Sequence, residues 1–194
     1  MIKELGPGFR LTLVFTLFLG LLYPAIITGV AQLAFPSQAN GSLVEVNGKV
    51  VGSKLIAQAF TRPEYFHPRP SAAGRGYDGG LSAGSNLGPT NQKLIDRVKA
   101  SAEEFRKTNP DFNGNIPADL LTTSSSGLDP HISPAAADAQ AARVSKARGI
   151  TLEQVQQLIT ENTAPVDLGF LGEPGVNVLM LNIALDQRFP SSNR

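Results

Sequence analysis

Ser126, Asp129 and His131 are of the residue types that form a hydrolase triad, and they lie together in the stretch SSSGLDPHISP at residues 124–134. In such a triad the histidine takes the serine proton and the acid orients the histidine. No G-x-S-x-G turn is present to expose a serine nucleophile, and residues this close in sequence need a special turn to face one another. Gly127 and Pro130 also have backbone roles, because glycine allows a positive φ angle and proline extends the residue before it. We therefore interpret the stretch as a shaped loop that leads into a helix, with an anchored serine hydrolase as the alternative.

The two histidines of the chain, His67 and His131, are its only candidate nitrogen ligands for a metal. A zinc site would also need Asp78 or Asp129, and neither of the spacings H-x-x-x-H and H-E-x-x-H is present. The chain has no cysteine, which excludes disulfides, thiolate metal sites and thiol nucleophiles. We therefore expect no metal site and two ordinary hydrogen-bonding histidines.

Two motifs are similar to nucleotide-binding sequences. Residues 74–79, GRGYDG, match G-x-G-x-x-G, but they do not join a strand to a helix as the dinucleotide motif requires. Residues 81–85, LSAGS, are similar to the LSGGQ signature of ABC ATPases, but the chain has no G-x-x-x-x-G-K-[ST] loop to bind phosphates. We therefore predict a flexible loop at residues 74–79 and no ATP hydrolysis by this chain alone.

The charge balance argues against nucleic acid as a partner. Lysine and arginine number 17 and aspartate and glutamate 16, for a formal net charge of +1. Domains that bind nucleic acid carry a basic surface that neutralises phosphates, and the sequence contains no such concentration of basic residues. The sequence therefore predicts no nucleic-acid partner.

All of the candidate catalytic, metal-binding and nucleotide-binding residues come after an uncharged stretch at residues 11–35, LTLVFTLFLGLLYPAIITGVAQLAF. This stretch is long enough to cross a membrane. A bilayer core of about 30 Å requires about 20 apolar helical residues, and a proline such as Pro24 is tolerated in such helices. Residues 36–39 could be the cleavage site of a signal peptide, but the apolar run is longer than the roughly 7–15 residues typical of one. We therefore predict a retained transmembrane helix in contact with membrane lipid.

The positions of the charged residues predict the orientation of this helix. Lys3 and Arg10 precede the apolar stretch, and the next charged residue after it is Glu45. Basic residues beside a membrane helix favour the cytoplasmic side. We therefore predict a cytoplasmic segment at residues 1–10, a transmembrane helix at residues 11–35 and an extracytoplasmic domain at residues 36–194.

Turn and loop signals divide the predicted extracytoplasmic domain. Residues 35–42 are predicted to be a short linker, because they combine proline, glycine and serine. Valines flank Asn47-Gly48, the dipeptide most typical of a type I′ turn, and predict a β-hairpin across residues 43–52. Residues 63–90 contain four prolines and six glycines, which predicts a long loop.

Three helices follow from apolar spacing and capping residues. The first is predicted at residues 91–107, the second begins at Ser133-Pro134 and runs to Arg148, where Gly149 stops it, and the third begins with the capping box Thr151-x-x-Gln154. Residues 176–186 are apolar and could be a strand or a helix, since periodicity does not separate the two. With the hairpin, these elements predict an α+β domain. The predicted inward residues are Leu94, Ile95, Val98, Ala102 and Phe105 in the first helix, Leu152, Val155, Leu158 and Ile159 in the third, and an alanine face of Ala135, Ala136, Ala139 and Ala142 in the second.

Several long stretches follow one another from the membrane helix to the C-terminal region: YPAIITGVAQLAFPSQANGSL, GSKLIAQAF, YFHPRPSAA, GSNLGPTN, SSSGLDPHISPAAADAQAARVSKARG and VNVLMLNIALD. Together they resemble the C subunit of the Kdp potassium-transporting P-type ATPase, the KdpC family of bacteria. The resemblance covers nearly the whole chain.

This resemblance implies a single-span subunit of the bacterial inner membrane, in an ATP-driven, high-affinity potassium uptake complex. Its partners would be a pore-forming subunit and a subunit that hydrolyses ATP. It implies a catalytic chaperone that raises the ATP affinity of the hydrolysing subunit, with no catalytic residue, metal or cofactor of its own. The nucleotide contact proposed for the family corresponds to residues 81–85, which makes Ser82, Gly84, Ser85 and Asn86 candidate ATP-binding residues. Ser85 occupies the position that is glutamine in the ABC signature.

The predicted orientation affects the implied ATP role, and two alternative functions are considered beside it. A domain outside the cytoplasm would not meet ATP, which favours an indirect effect on the ATPase. An anchored extracytoplasmic binding or sensing module that uses residues 63–90 is the alternative, beside the anchored hydrolase.

Overall fold

The computed structural model describes residues 2–190. Met1 and residues 191–194, which belong to the predicted segments 1–10 and 36–194, lie outside the described residues. The chain divides between Val51 and Gly52 into two compact units. The predicted α+β class is confirmed, with a long apolar N-terminal helix followed by further helices and small antiparallel sheets.

The first unit begins with one long helix. It consists of α1 (Ile2–Phe15), a π-helical stretch (Thr16–Leu22) and α2 (Tyr23–Ala34). Within its 32 residues Lys3–Ala34, a window of 18 residues reaches a mean hydropathy of 2.1, and none of that window is buried within the described chain. The helix is therefore long and apolar enough to cross a membrane. It begins before residue 11, and the boundaries predicted at residues 1–10, 11–35 and 36–194 stay predictions.

The π-helical stretch ends directly before Tyr23-Pro24. Proline has no N–H and its ring crowds the preceding turn, so the hydrogen bonding before it must change. In a π-helix each N–H bonds to the carbonyl five residues earlier, which makes the turn wider. The apolar helix therefore continues through Pro24 instead of ending there.

The predicted linker at residues 35–42 is partly wrong, because it contains a helical turn, α3 (Pro36–Ala39). Proline is favoured at the first position of a helix, where its missing N–H costs nothing. The Asn40 side chain donates to the carbonyl of Pro36 at 2.7 Å and holds the turn closed.

The predicted β-hairpin is confirmed. Its strands are β1 (Leu43–Val46) and β2 (Lys49–Ser53). Asn47 and Gly48 between them have φ angles of 55° and 74°. Both angles are positive, as a type I′ turn requires.

The second unit starts with a long segment without helix or strand, residues 54–91, which confirms the loop predicted at residues 63–90. It leads into α4 (Gln92–Thr108), whose first turn is capped by the Asn91 side chain. Of the residues predicted to face inward here, only Phe105 is buried, while Ile95 is exposed. The other three, Leu94, Val98 and Ala102, are half-buried. The helix therefore packs mainly through its C-terminal end.

The core of the second unit combines three helices with a three-stranded antiparallel sheet. The sheet has the order β3-β5-β4, and Val176 lies opposite both Ile132 and Thr163. The strands are β3 (His131–Ile132), β4 (Thr163–Ala164) and β5 (Gly175–Asn177), the helices are α5 (Pro134–Arg148), α6 (Leu152–Glu161) and α7 (Val178–Arg188), and a 3-10 turn (Ala118–Leu120) precedes them. Large, fully buried side chains include Phe66, Ile132, Val144, Val155, Leu181 and Leu185.

The predicted ends of α5 and α6 are confirmed. The Ser133 hydroxyl accepts a hydrogen bond from the N–H of Ala136 at 3.0 Å, which caps α5. Gly149 ends α5 with a φ angle of 66°. Thr151 and Gln154 form both hydrogen bonds of the capping box at the start of α6.

Two predicted inward faces need correction. The buried face of α6 begins at Val155, and Leu152, one turn earlier, is 39% exposed. In α5, Ala136 and Ala139 are buried but Ala135 is exposed. Helix α5 packs against both α6 and β5, so its small residues are buried on more than one side. The prediction that α5 has a single inward alanine face is therefore wrong.

Residues 176–186 contain the end of a strand followed by a helix. The change occurs at Asn177, whose side chain accepts from the N–H of Met180 at 3.1 Å and caps α7. Val178, Leu179, Leu181 and Leu185 of α7 are all buried. A helix that is buried on several sides has no single apolar face, which explains why periodicity did not identify it.

Candidate functional site

Residues 81–86, which contain the candidate ATP-binding residues, lie against the loop of residues 124–128. The hydroxyl of Ser82 and the N–H of Ala83 both donate to the carbonyl of Ser126, at 3.0 and 2.9 Å. A Cβ atom on Gly84 would lie only 2.7 Å from the carbonyl oxygen of Ser125. The two backbones therefore pass so closely that position 84 has no room for a side chain.

Gly127 has the same role on the other side of this contact. Its φ angle of 66° confirms the predicted positive value. A Cβ atom at this position would collide with the carbonyl oxygen of Ala83 and would lie 2.8 Å from the nitrogen of Ala73. Both obstacles are backbone atoms, which cannot rotate away as a side chain can. We name this contact between residues 81–86 and 124–128 the loop crossing.

Ser71 links a third segment, residues 71–77, to the loop crossing through hydrogen bonds. Its hydroxyl donates to the carbonyl of Gly127 at 2.6 Å and accepts from the N–H of Ala73 and of Tyr77, at 3.1 and 2.8 Å. Ser71 was not among the predicted site residues. A lone serine in a proline-rich loop gives no local signal for its bond to Gly127, which is more than fifty residues away.

Residues 74–79 form a hydrogen-bonded turn. The Tyr77 hydroxyl donates to the carbonyl of Arg69 at 2.8 Å, and burial raises the pKa of Tyr77 to about 12. Residues 54–91 contain no strand before this turn and no helix inside it. The context that the dinucleotide motif requires is therefore missing, since its phosphate group sits at the N-terminus of a helix.

Ser85 and Asn86 continue from the loop crossing toward α4. The Ser85 hydroxyl accepts from the Arg97 guanidinium at 3.3 Å, and Asn86 has a φ angle of 50°. Ser82, Gly84 and Ser85 thus each have a structural contact. Their role in ATP binding, and that of Asn86, stays a prediction.

The three triad-type residues make separate contacts. The Ser126 hydroxyl accepts from the N–H of Leu128 at 3.1 Å and lies 3.3 Å from the hydroxyl of Ser124. Nδ1 of His131 lies 3.6 Å from Oδ1 of Asp129. Within residues 2–190, no hydrogen bond joins Ser126 to His131, so no base is placed to activate the serine. The arrangement supports the interpretation as a shaped loop.

The Asp129 carboxylate accepts hydrogen bonds that hold this loop in shape. Its Oδ1 accepts from the N–H of His131 at 3.0 Å, and its Oδ2 lies 3.1 Å from the Arg69 guanidinium. The facing His131 side chain lowers the pKa of Asp129 most, and the His131 N–H and Arg69 act in the same direction against the effect of burial. The ionised carboxylate therefore fixes both Arg69 and the start of β3.

His67 is a hydrogen-bonding residue of a different segment. Its Nε2 lies 3.1 Å from the carbonyl of Arg62, and burial lowers the pKa of the imidazole. Within residues 2–190, no group of three or more His, Cys, Asp or Glu side chains is arranged to hold a metal ion.

Arg143 lies at the centre of a buried polar cluster that was not predicted from the sequence. Its Nη2 donates to Gln140 at 2.7 Å, its Nε donates to Asn109 at 2.9 Å, and its Nη1 donates to the carbonyls of Pro63 and Tyr65. Burial lowers the pKa of Arg143 to about 10. A signal was present, because Gln140 and Arg143 stand one helical turn apart in an otherwise alanine-rich helix.

Two more side chains bind the same loop segment. Gln140 accepts from the N–H of His67 at 2.8 Å and donates to its carbonyl at 3.1 Å. Asn182 of α7 makes the equivalent pair with Phe66, at 2.8 and 3.0 Å. Side chains of α5 and α7 therefore fix the course of residues 63–67, the start of the long loop.

A cleft of about 750 Å³ borders the Asp129 loop. Its charged lining residues are Arg69, Asp119, Asp129, His131, Asp167 and Glu173. Four carboxylates face one guanidinium and one imidazole, so the cleft favours cationic groups and disfavours a triphosphate. Asp119 also accepts from the N–H of Ser133 at 2.7 Å, which links the cleft to the start of α5. We name it the acidic cleft.

Comparison with known proteins shows the family to which this chain belongs. A family model described as the K+-transporting ATPase, c chain, matches residues 5–187. The chain belongs to the KdpC family. It is 57% identical over 190 residues to the potassium-transporting ATPase KdpC subunit of Rhodospirillum rubrum, a match that covers 98% of each chain.

Other KdpC subunits are similar over the same length. The subunit of Myxococcus xanthus is 59% identical over 190 residues, covering 97% of this chain and 90% of the relative. The subunit of Beijerinckia indica is 53% identical over 190 residues, covering 98% and 96%. The resemblance inferred from sequence is confirmed. As a KdpC chain, the protein is an accessory subunit of a potassium-transporting ATPase and not the catalytic one.

Proposed function

We propose that this KdpC chain stabilises an ATP-driven potassium uptake complex as a catalytic chaperone that contains no active site. It binds the pore-forming and ATP-hydrolysing subunits and raises the ATP affinity of the latter indirectly. The observation that carries this proposal is the combination of an unburied apolar helix of 32 residues with a domain whose triad-type residues are separately hydrogen-bonded. An anchor joined to a shaped, non-catalytic domain suits a structural role in a membrane complex.

The proposed orientation puts the second unit outside the cytoplasm. Lys3 and Arg10 are the only basic residues before Lys49, and both lie in the first part of the apolar helix. Basic residues are retained on the cytoplasmic side during insertion. A reporter fused after the last residue is expected to be active only if it functions in the periplasm. Activity of a reporter that works only in the cytoplasm would contradict the orientation.

Two structural observations support an indirect effect on ATP affinity. The candidate residues Ser82 and Gly84 are engaged in the loop crossing, and the acidic cleft disfavours a polyphosphate. A bound subunit shifts a conformational equilibrium only through different interaction energies with the two states. We therefore expect the chain to bind more tightly to the ATP-competent state of the hydrolysing subunit.

The decisive experiment is co-purification in mild detergent. The full chain, tagged and co-expressed with the other subunits, is expected to bring down both, and its removal is expected to raise the KM for ATP of the remaining complex. A chain that purifies alone and stable would instead indicate an independent binding or sensing module. Serine hydrolase activity that depends on Ser126 would indicate an anchored serine hydrolase.

Calorimetry on the full chain in detergent separates direct from indirect action. With ATP and magnesium, we expect no micromolar binding. Micromolar binding that is abolished by Ser82→Ala or Ser85→Ala, but not by the control Ser37→Ala on the exposed surface of α3, would show direct binding and contradict the indirect mechanism.

A further inference from the structure

Residues 166–171, between β4 and β5, form a closed and exposed turn that we name the apolar tip. Asp167 and Leu171 exchange two backbone hydrogen bonds of 2.9 Å each, as in a short antiparallel bridge. Inside this bridge, the N–H of Phe170 donates to the carbonyl of Asp167 at 3.2 Å. The backbone of the tip is therefore internally fixed, and the directions of its side chains are set in advance.

The side chains of the apolar tip face solvent. Leu168 is 82% exposed, Phe170 is 75% exposed and Leu171 is 48% exposed. Leu168 also has a φ angle of 52°, in the left-handed region that asparagine and glycine adopt more easily than leucine does. Neither core packing nor backbone preference therefore accounts for a leucine here. Exposed apolar groups clustered in this way are typical of an interaction surface.

The surroundings of the apolar tip are acidic. Asp167 and Glu173, at its base, both line the acidic cleft, and neither has an ion-pair partner among residues 2–190. The sequence contains no lysine or arginine from residue 149 to residue 187. A membrane surface with anionic lipids would repel these carboxylates, since surface binding depends on basic residues. The charges therefore favour a protein partner with basic residues.

We propose that the apolar tip docks into an apolar pocket, bordered by lysine or arginine side chains, on another protein subunit of the potassium-transporting ATPase. This inference rests on the proposed assembly function and names the part of the chain that performs it. Leu168 and Phe170 fill the pocket, where buried apolar anchors supply most of the affinity. Asp167 and Glu173 pair with the basic rim and set the orientation. Because the turn is closed before binding, little conformational entropy is lost on docking.

Photo-crosslinking identifies the contact directly. Phe170 is replaced by benzoylphenylalanine in the full chain, which is co-expressed with the other subunits and irradiated in the membrane. We expect a covalent adduct with another subunit, mapped by mass spectrometry to an apolar peptide close to a lysine or arginine. Adducts only with lipid, or no protein adduct, would overturn the proposal.

Matched variants measure the contribution of the apolar tip. Leu168→Asn with Phe170→Ser removes both apolar side chains and keeps the left-handed turn accessible. We expect co-purification to fall roughly tenfold or more, as for anchor residues at other interfaces. The thermal midpoint of the isolated variant should be unchanged or higher. Leu55→Ser, which removes a leucine that is 61% exposed elsewhere on the same unit, is expected to assemble normally.

The charge reversal Asp167→Lys with Glu173→Lys completes the test. It is expected to weaken assembly while leaving the fold intact. If the wild-type chain assembles and both double variants assemble equally well, the docking proposal is wrong and the proposed function stands. If the wild-type chain itself does not assemble, both are wrong.

Discussion

A methyl group at position 127 tests whether the loop crossing is as tight as the structure indicates. In Gly127→Ala, the left-handed φ angle of 66° costs about 1–2 kcal/mol. The new Cβ atom also collides with the carbonyl of Ala83 and approaches the nitrogen of Ala73 to 2.8 Å, and overpacking of this kind costs about 1–3 kcal/mol. Together the two effects predict a loss of about 2–5 kcal/mol in the free energy of unfolding.

Gly149 provides a matched control for this measurement. It has the same φ angle of 66°, but a Cβ atom there would meet nothing within 4 Å. Gly149→Ala therefore reports the backbone cost alone, about 1–2 kcal/mol. The effect of alanine on the unfolded chain is the same in both variants and cancels in the difference.

The assay is denaturant unfolding of the detergent-solubilised full chain, followed by circular dichroism and fitted for the free energy of unfolding. We expect Gly127→Ala to be less stable than Gly149→Ala by about 1–3 kcal/mol, the cost of the steric contact alone. Equal stability of the two variants would refute the close approach of residues 81–86 and 124–128.

Three further outcomes follow from the contacts around this region. Replacing His131 by alanine should leave potassium uptake within about twofold of wild type, because the imidazole does no chemistry in a shaped loop. Loss of uptake in a folded, assembled complex would instead support the catalytic interpretation. Changing Arg143 to methionine should cost about 3–5 kcal/mol in denaturant unfolding, because carbonyl and amide oxygens of four residues lose a buried charged donor, whereas a cost under about 1 kcal/mol would show that the cluster is dispensable. The pKa of Asp129 is lowered from 3.8 in the folded chain, so its contribution to stability is present above that pH and lost as the pH falls through the folded pKa. Unfolding of Asp129→Asn should therefore depend less on pH below 3.8 than unfolding of the wild type, and identical profiles would contradict an ionised acceptor at this position.

The elements that could be predicted from sequence are those whose cause is local. Asn47-Gly48 determines the turn of the hairpin, and Ser133 and Thr151 cap the helices that follow them, because each acts on the backbone within a few residues. Gly127 was predicted to have a positive φ angle for the same reason. The need for glycine at position 84 was not predicted, since it arises from the carbonyl of Ser125, about forty residues away.

The parts that sequence did not reveal depend on packing. Leu152 and Ile95 continue the apolar faces of their helices but are exposed, because the packing partner does not reach that turn. Arg143, Gln140 and Asn182 are polar residues in the interior, and only the position of residues 63–67 shows what they bind. Helix α7 has no apolar face to detect, because the fold surrounds it.

The way in which α5 and α7 hold residues 63–67 has a consequence for association between chains. Buried backbone N–H and carbonyl groups need partners, and unpaired groups along an exposed edge can recruit another chain. Residues 63–67 belong to no strand, and the Arg143, Gln140 and Asn182 side chains instead bond to N–H and carbonyl groups of consecutive residues. Side chains of α5 and α7 thus occupy these backbone groups, which are therefore not available for β-pairing with another chain.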